Sequence, residues 1–177
     1  MKRILKEIVS LSIYILVILG ITYLVIHYVG QRTVVEGHSM MPTLMDGDSL
    51  IVDKLSYRFV EPKRFDIVVF PYEHADHTYY IKRIIGLPGE SVRIDADGVI
   101  YINGEVLDED FGAEQMLDPG RAVEELHLKS DEYFVLGDNR NNSTDSRVED
   151  VGNIHRGRLI GRAVLRVWPL SEFGTLD

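Results

Sequence analysis

An uncharged apolar segment near the N-terminus constrains this chain more than any other feature. From Ile8 to Ile26 the sequence reads IVSLSIYILVILGITYLVI, without a charged residue. At about 1.5 Å of rise per residue, an α-helix over this segment would span about 28 Å, close to the hydrocarbon thickness of a bilayer. The few Ser, Thr and Gly residues are tolerable inside such a helix. The sequence therefore predicts one transmembrane anchor, with bounds of 8–29.

The charges on either side of this segment predict its orientation. The preceding residues carry more cations than anions, namely Lys2, Arg3 and Lys6 against Glu7, whereas Arg32 stands more alone behind it. The positive-inside rule then predicts that residues 1–7 are cytoplasmic and residues 30–177 are extracytoplasmic, in a single-pass protein of the cell membrane. The alternative is a cleaved secretory signal, which usually has a shorter apolar core and a small-x-small cleavage site. Residues 26–30, IHYVG, offer no good site of that kind, which favours a retained anchor.

Composition excludes several classes of function. The chain has 177 residues and a formal net charge of -9, which argues against a nucleic-acid partner. It has no cysteine, so thiol catalysis, Cys-ligated zinc and disulfides are excluded. His74, Asp76 and His77 form only a weak metal-binding pattern, and a solvated loop is the favoured interpretation. We therefore predict no metal and no cofactor.

Residues after the anchor have the pattern of a mainly β domain. Short apolar runs at 49–52, 67–70 and 132–136 are bounded by turn residues, and residues 159–167 predict a last strand. Residues 91–107 contain Asp-Gly and Asn-Gly between apolar runs and predict a meander. We expect a single antiparallel β-sheet or barrel-like domain behind one transmembrane helix. The acidic, irregular stretch around 108–129 predicts an exposed excursion from it.

One predicted strand, residues 78–85, carries two adjacent cations. Side chains alternate along a strand, so Lys82 lies on one face between Tyr80 and Ile84, and Arg83 lies on the other face. Whichever face meets the core carries a cation inwards. A buried lysine can lose its proton, whereas an arginine needs a carboxylate partner. The alternative is that Lys82 extends along apolar neighbours to reach water, as most such lysines do.

Two polar segments complete the set of candidate functional residues. Ser39 lies in Gly37–Thr43, GHSMMPT, where a proline stiffens the backbone close to the hydroxyl. A serine becomes a nucleophile only with a base within reach, and a lone serine would belong to a polar turn. Residues 137–147, GDNRNNSTDSR, follow a predicted strand and are rich in hydrogen-bonding groups. An ordinary Asx-rich turn is the alternative interpretation there.

Taken together, these stretches resemble the bacterial type I signal peptidases, membrane-bound serine proteases that remove signal peptides from exported proteins. The short chain and single anchor look like the compact form common in Gram-positive bacteria. Lysine at position 82 fits the bacterial type, since the related endoplasmic-reticulum enzymes carry histidine there. The matching motifs occur in the family's order: Ser39–Thr43, Gly47–Asp48, Phe65–Phe70, Tyr80–Gly89 and Gly137–Arg147.

The resemblance implies a Ser–Lys dyad, with Ser39 as nucleophile and neutral Lys82 as general base. It also implies that Ser143 orients the base by a hydrogen bond. Two supporting ion pairs are expected, which are Asp145 with Arg147 and Arg83 with Asp138. Gly37 stands where some relatives have a serine that helps the oxyanion hole, so the hole would depend mainly on the backbone N–H of Ser39.

The resemblance implies preproteins as substrates, with small residues at positions -1 and -3 of the cut. An extended peptide could add as a strand near Ser39. Lipid is a second expected partner, and Met40, Met41, Leu44 and Met45 either touch it or pack in the core. Two alternatives stay open, a membrane-anchored β-rich binding module and a Ser–Lys self-cleaving regulator. The regulator would need a basic DNA-binding region where this chain has its anchor.

Overall fold

One apolar helix precedes the β domain. The computed structural model describes residues 2–24 and 30–176. Helix α1 spans Lys2–Leu24, and within it the segment Lys6–Tyr23 is long and apolar enough to cross a membrane, by length and composition. Every described side chain of α1 is exposed. The last residues of the predicted anchor, 25–29, lie outside the described residues.

Twelve strands follow α1 in the described part of the chain. They are β1 Gly30–Val34, β2 Ser49–Asp53, β3 Ile67–Pro71, β4 Tyr79–Gly86, β5 Ser91–Ile94, β6 Ile100–Ile102, β7 Glu105–Val106, β8 Leu126–His127, β9 Glu132–Leu136, β10 Ile154–His155, β11 Gly161–Trp168 and β12 Gly174–Thr175. Single turns of 3-10 helix lie between some of them, at Ser56–Arg58, Gly120–Val123, Arg156–Arg158 and Leu170–Glu172.

The strands form two antiparallel sheets. The larger has the order β1-β2-β11-β3-β4-β9-β10 with β12 paired to β11, and the smaller has the order β7-β6-β5-β8. The prediction of a mainly antiparallel β fold behind one helix is confirmed. The domain has two sheets where one was expected, because β5, β6 and β7 form the predicted meander and do not extend the first sheet. Strand β8 pairs with β5 and completes the second sheet.

The acidic stretch around 108–129 is partly buried. Its residues Met116, Ala122 and Leu128 are at most 5% exposed, and they pack in one cluster with residues of the second sheet. Its strand β8 pairs with β5. The expectation of an exposed excursion is therefore wrong for these residues, because a few well-spaced apolar side chains close over the second sheet. Most acids of the stretch are exposed, but the Glu109 side chain is 10% exposed and pairs with Arg140 at 2.7 Å.

Strand β4 lies between two apolar clusters and is buried on both faces from Lys82 to Gly86. Ile84 packs with Phe70, Tyr133 and other residues of one cluster, and Ile85 packs with a second cluster around the smaller sheet. The predicted alternation therefore carries a cation inwards on each face. Lys82 is 3% exposed and Arg83 is 0% exposed.

Candidate active site

The fold brings Ser39 and Lys82 into direct contact. Lys82 Nζ donates to Ser39 Oγ at 2.7 Å and to the carbonyl oxygen of Ile81 at 2.9 Å. The lysine extends from β4 into the interior, and the serine lies on the loop between β1 and β2. The alternative in which Lys82 reaches water is wrong, since the apolar walls of β4 leave its amine almost fully buried.

Core packing holds the loop that carries Ser39. Met40 and Leu44 are 1% and 0% exposed, and the Leu44 N–H donates to the Met40 carbonyl at 2.9 Å. Met40 and Leu44 therefore pack in the core, and the alternative that they touch lipid is wrong. Met45 is exposed. The serine is thus placed on a short turn whose neighbours are anchored in an apolar cluster.

The loop that follows β9 supports the Ser39 turn from a second side. The backbone N–H of Asn139 donates to the Ser39 carbonyl at 3.0 Å, and Asn139 Nδ2 donates to the His38 carbonyl at 3.0 Å. Gly137 makes this approach possible, because a Cβ on it would lie 2.4 Å from the Ser39 carbonyl oxygen. Any larger residue at position 137 would push the two loops apart.

The expected ion pair between Arg83 and Asp138 is present and fully buried. Arg83 Nε and Nη2 donate to the two carboxylate oxygens of Asp138 at 2.9 Å and 2.8 Å. Thr43 Oγ1 donates to Asp138 Oδ2 at 2.5 Å. The ion pair therefore joins β4, which carries Lys82, to the turn that carries Ser39. Thr43 and Asn139 were not identified from the sequence, where one hydroxyl or amide in a polar loop looks like any other.

The second expected ion pair is also formed. Arg147 Nε and Nη2 donate to Asp145 at 2.8 Å and 2.9 Å, and the Gly137 N–H donates to Asp145 Oδ2 at 3.0 Å. Arg147 Nη1 also donates to the carbonyl of Asp118 at 2.9 Å. This pair closes the 137–147 loop on itself and ties it to the acidic stretch. The segment is therefore an ordered part of the site, and more than an Asx-rich turn.

Ser143 does not make the expected hydrogen bond to Lys82 in this arrangement. Its Oγ is buried and has no hydrogen-bond partner among the described residues. Lys82 uses Ser39 and the Ile81 carbonyl instead. Ser143 does line the same cleft as Ser39 and Lys82, and its hydroxyl lies so close to Gly137 that a Cβ there would be 2.2 Å from it. Its role in orienting the base stays a prediction.

Burial sets the protonation of the Lys82 amine. Desolvation lowers the pKa of Lys82 to about 8, and the negative charges of Asp145 and Asp138 act in the opposite direction. Each of these carboxylates is paired with an arginine, which offsets its pull on the amine. With a pKa of about 8, about a tenth of the lysine is neutral at pH 7, enough for a working base.

The backbone supplies one candidate oxyanion donor. The Gly37 N–H is taken up by Asp46 Oδ1 at 2.8 Å, so it is not free to bind an oxyanion. The Ser39 N–H donates no hydrogen bond within the described part of the chain. It therefore remains available beside the Ser39 hydroxyl, in line with the expectation for a chain that has Gly37 where some relatives have a serine.

A cleft of about 510 Å³ opens beside the dyad. Its walls are Thr33–Ser39 on one side, Thr78–Lys82 on the other, and Asn142–Thr144. Strand β1 is at the edge of its sheet, and β4 pairs with β9 only from Arg83 onwards, so residues 79–82 also have one open edge. Two unpaired strand edges can bind an extended peptide through its main chain.

No group of three or more His, Asp or Glu side chains that could hold a metal ion occurs in residues 2–24 and 30–176. His74 packs edge-on against Tyr72, with ring centroids 5.4 Å apart, and His77 lines the cleft. Because His74 and His77 make separate contacts, the arrangement of the loop does not suggest a metal site.

Comparison with known proteins gives consistent matches over most of the chain. The model of the family described as signal peptidase, peptidase S26, matches residues 6–168. The probable signal peptidase I-2 of Synechocystis sp. is 42% identical over 154 residues, covering 84% of this chain and 68% of that protein. The signal peptidase I of Bacillus caldolyticus is 40% identical over 158 residues, covering 82% and 84%. The signal peptidase IB of Staphylococcus aureus (strain COL) is 33% identical over 183 residues, covering 95% and 93%.

Proposed function

Since this chain belongs to the signal peptidase (peptidase S26) family, we propose that it is a membrane-bound serine endopeptidase that removes signal peptides from exported preproteins. Ser39 is its nucleophile and Lys82 its general base. The observation that carries this assignment is the 2.7 Å contact between a serine hydroxyl and a buried amine that lacks a carboxylate partner. A binding module would not need a buried amine in contact with a serine hydroxyl. The relatives are signal peptidases, which argues against a self-cleaving regulator.

The reaction follows from the protonation states of these two groups. Neutral Lys82 accepts the proton of Ser39 as Oγ attacks the carbonyl carbon at the cleavage site. The Ser39 N–H stabilises the negative charge that develops on the carbonyl oxygen. The lysine ammonium then protonates the leaving amine of the mature protein, which leaves the signal peptide as an ester on Ser39. Lys82 next takes a proton from water, whose oxygen attacks the ester carbon. As the bond to Ser39 Oγ breaks, the lysine ammonium returns a proton to Oγ and the signal peptide leaves with a free carboxyl group.

The two ion pairs keep the amine usable as a base. Unpaired, the carboxylates of Asp138 and Asp145 would favour the ammonium form of Lys82, because a nearby negative charge raises the pKa of an amine. Arg83 and Arg147 neutralise them at hydrogen-bond distance. Desolvation then prevails, in agreement with the lowered pKa of Lys82.

The preprotein lies extended in the cleft, with main-chain hydrogen bonds to the open edges of β1 and of residues 79–82. Small residues at -1 and -3 are expected because alternate side chains of such a strand would point towards the wall beside the dyad. Helix α1 spans the cell membrane with residues 1–7 in the cytoplasm, and the β domain acts outside. Anchoring enzyme and preprotein in one membrane raises their effective concentration.

A preprotein cleavage assay tests the assignment. We expect that kcat/KM of the full-length protein in nanodiscs rises between about pH 6 and 9, with an apparent pKa near the value of about 8 for Lys82, and then levels off. Ser39→Ala and Lys82→Met should abolish cleavage while circular dichroism stays unchanged. Cleavage that persists in Ser39→Ala would refute the nucleophile. Binding of preprotein without any cleavage by the wild type would instead support the binding module.

A further inference from the structure

A loop far from the dyad exposes a large apolar side chain. Residues 53–63, here called the Phe59 loop, connect β2 to the segment before β3. Phe59 is 79% exposed and the adjacent Val60 is 51% exposed. Single exposed apolar side chains are common in soluble domains, so their meaning depends on how the loop is built and on what surrounds it.

The Phe59 loop is held in place from several directions. Asp53 Oδ1 accepts hydrogen bonds from two backbone N–H groups at the start of the loop, including that of Ser56 at 3.0 Å. The Tyr57 side chain is 7% exposed and packs in the core, and Arg156 donates to its carbonyl oxygen. Phe59 is therefore held out in water by an ordered loop, although an apolar core lies directly beneath it.

The charges of the Phe59 loop are unbalanced. Lys54, Arg58 and Lys63 form no ion pair within the described part of the chain. The two acids of the loop already have partners: Glu61 is paired with Arg156 at 3.0 Å, and the Asp53 carboxylate accepts hydrogen bonds from the backbone of the loop and from the Ser56 hydroxyl. The protein as a whole has a formal net charge of -9. A patch of unpaired cations around an exposed phenylalanine is therefore a local exception, and its chemical complement is an anionic surface with an apolar interior.

Strand register places this loop near the membrane helix. Gly30, the first residue of β1, is paired with Asp53, the last residue of β2. Only five residues lie between Leu24, the end of α1, and Gly30, so the chain from one to the other can span about 20 Å at most. The Phe59 loop starts beside Gly30, at the end of the sheet that is tethered to α1.

A second group of exposed apolar side chains has no unpaired cation beside it among the described residues and lies far from the end of the sheet that is tethered to α1. Trp168, Leu170 and Phe173 lie at the opposite end of β2, where Trp168 is paired with Ser49. The cation of that region, Arg166, is neutralised by Asp48 at 2.9 Å and Glu172 at 3.2 Å. Its charge therefore does not favour an anionic partner.

We infer that the Phe59 loop rests on an anionic bilayer surface, with Phe59 and Val60 in the interfacial layer and Lys54, Arg58 and Lys63 on lipid headgroups. This inference depends on the proposed membrane location of α1. Amphipathic contacts of this kind combine burial of apolar area with attraction to anionic lipids. Because α1 alone would leave the β domain free to rotate, the second contact fixes how the cleft faces the membrane.

Fluorescence quenching in nanodiscs tests this contact. The chain has one tryptophan, so full-length protein carrying Trp168→Phe provides a background in which Phe59→Trp supplies the chain's only tryptophan, excited selectively over the tyrosines. Leu117→Trp is the matched control, because Leu117 is 75% exposed but lies beside Asp118 in the acidic stretch. The proteins are placed in nanodiscs of brominated phosphatidylcholine, with and without phosphatidylglycerol.

We expect the emission of Phe59→Trp to shift to the blue and to be quenched at least twofold more than that of Leu117→Trp when phosphatidylglycerol is present. Replacing Lys54, Arg58 and Lys63 by glutamine should reduce this quenching towards the control. Emission of Phe59→Trp that is water-like and no more quenched than the control would overturn the inference. A blue shift without bromine quenching would also overturn it and would indicate a protein surface as the occupant.

The test separates this inference from the proposed function. Quenching needs no catalysis, so Ser39→Ala in the same background should give the same signal. Failure of α1 to act as a membrane anchor would appear as loss of the protein from purified nanodiscs, before any fluorescence is measured. Quenching that is equal with and without phosphatidylglycerol would contradict the electrostatic part of the contact.

Discussion

Lys82 and Arg83 are adjacent on β4 and both are buried, yet their surroundings lead to opposite chemical states. Arg83 lies against the carboxylate of Asp138 with two hydrogen bonds, and a guanidinium does not release its proton in proteins. Lys82 has a hydroxyl and a carbonyl as hydrogen-bond partners, and it forms no ion pair with a carboxylate among residues 2–24 and 30–176. Burying a charge is unfavourable on both faces of the strand. Arg83 offsets this by pairing with Asp138, whereas Lys82 loses its proton more easily.

The largest effect on activity is expected when Lys82 is replaced by arginine, the residue at the adjacent position 83. Lys82→Arg keeps the positive charge but cannot act as a base, so we expect kcat for preprotein cleavage to fall by roughly 10³-fold or more. Lys129→Arg is the matched control, since the side chain of Lys129 is 74% exposed and its pairing with Glu132 can be kept by an arginine. Activity within tenfold of wild type in Lys82→Arg would show that another group accepts the proton.

Arg83→Met should be strongly destabilising, because it leaves the fully buried carboxylate of Asp138 without its cation. We expect a loss of about 3–5 kcal/mol in the free energy of unfolding, measured by chemical denaturation in detergent. The double variant Arg83→Met/Asp138→Leu removes both charges and should recover much of that loss. A single variant as stable as wild type would mean that the pair contributes no more than an exposed one.

Lys82→Met is expected to increase the free energy of unfolding, whereas Arg83→Met should decrease it. Because the pKa of Lys82 falls from 10.5 to about 8 on folding, the folded state binds fewer protons than the unfolded state between these values, and stability rises with pH across that window. Below about pH 8 the penalty is complete and amounts to about 3 kcal/mol. We therefore expect the variant to be more stable than wild type at neutral pH.

The pH dependence provides the check on that prediction. The difference in unfolding free energy between Lys82→Met and wild type should shrink from about pH 8 to pH 10.5. A constant difference across this range would show that the methionine acts through packing alone.

Replacing Thr43 should have the smallest effect on activity, since the ion pair between Asp138 and Arg83 remains when the Thr43 hydroxyl is lost. Thr43→Val removes the 2.5 Å hydrogen bond that links the Ser39 turn to the ion pair, and we expect roughly a tenfold fall in kcat with little change in KM. Thr43→Ser should restore most of the activity. Exposed Thr175→Val on β12 serves as the control for a threonine-to-valine change. Activity that is retained in Thr43→Val but lost in Thr43→Ser would point instead to a packing role for the methyl group.

Local patterns predicted much of this molecule. The apolar run at 8–26 forms α1 as far as the described residues extend, and the Asp-Gly and Asn-Gly turns of 91–107 give the β5–β7 meander. Strand alternation placed Lys82 and Arg83 on opposite faces. The partners of these cations came from a family resemblance, since spacing alone cannot say which of the chain's acids meets Arg83.

Other features could not be read from the chain. The last strand of the second sheet is β8, a two-residue strand inside an acidic stretch with no strand pattern of its own. The Ser143 hydroxyl is buried without a partner among the described residues, whereas the family resemblance implied a hydrogen bond from it to Lys82. The contribution of Thr43 depends on its hydrogen bond to Asp138, which lies 95 residues away in the sequence.

The sequence by itself determined which residues are apolar, where strands alternate and turns fall, and hence that two cations would face inwards from one strand. Only the tertiary structure decided which of those cations would meet a carboxylate and which a serine. Alternation is a property of neighbouring residues, whereas the free energy of a buried charge depends on groups that approach it from distant parts of the chain.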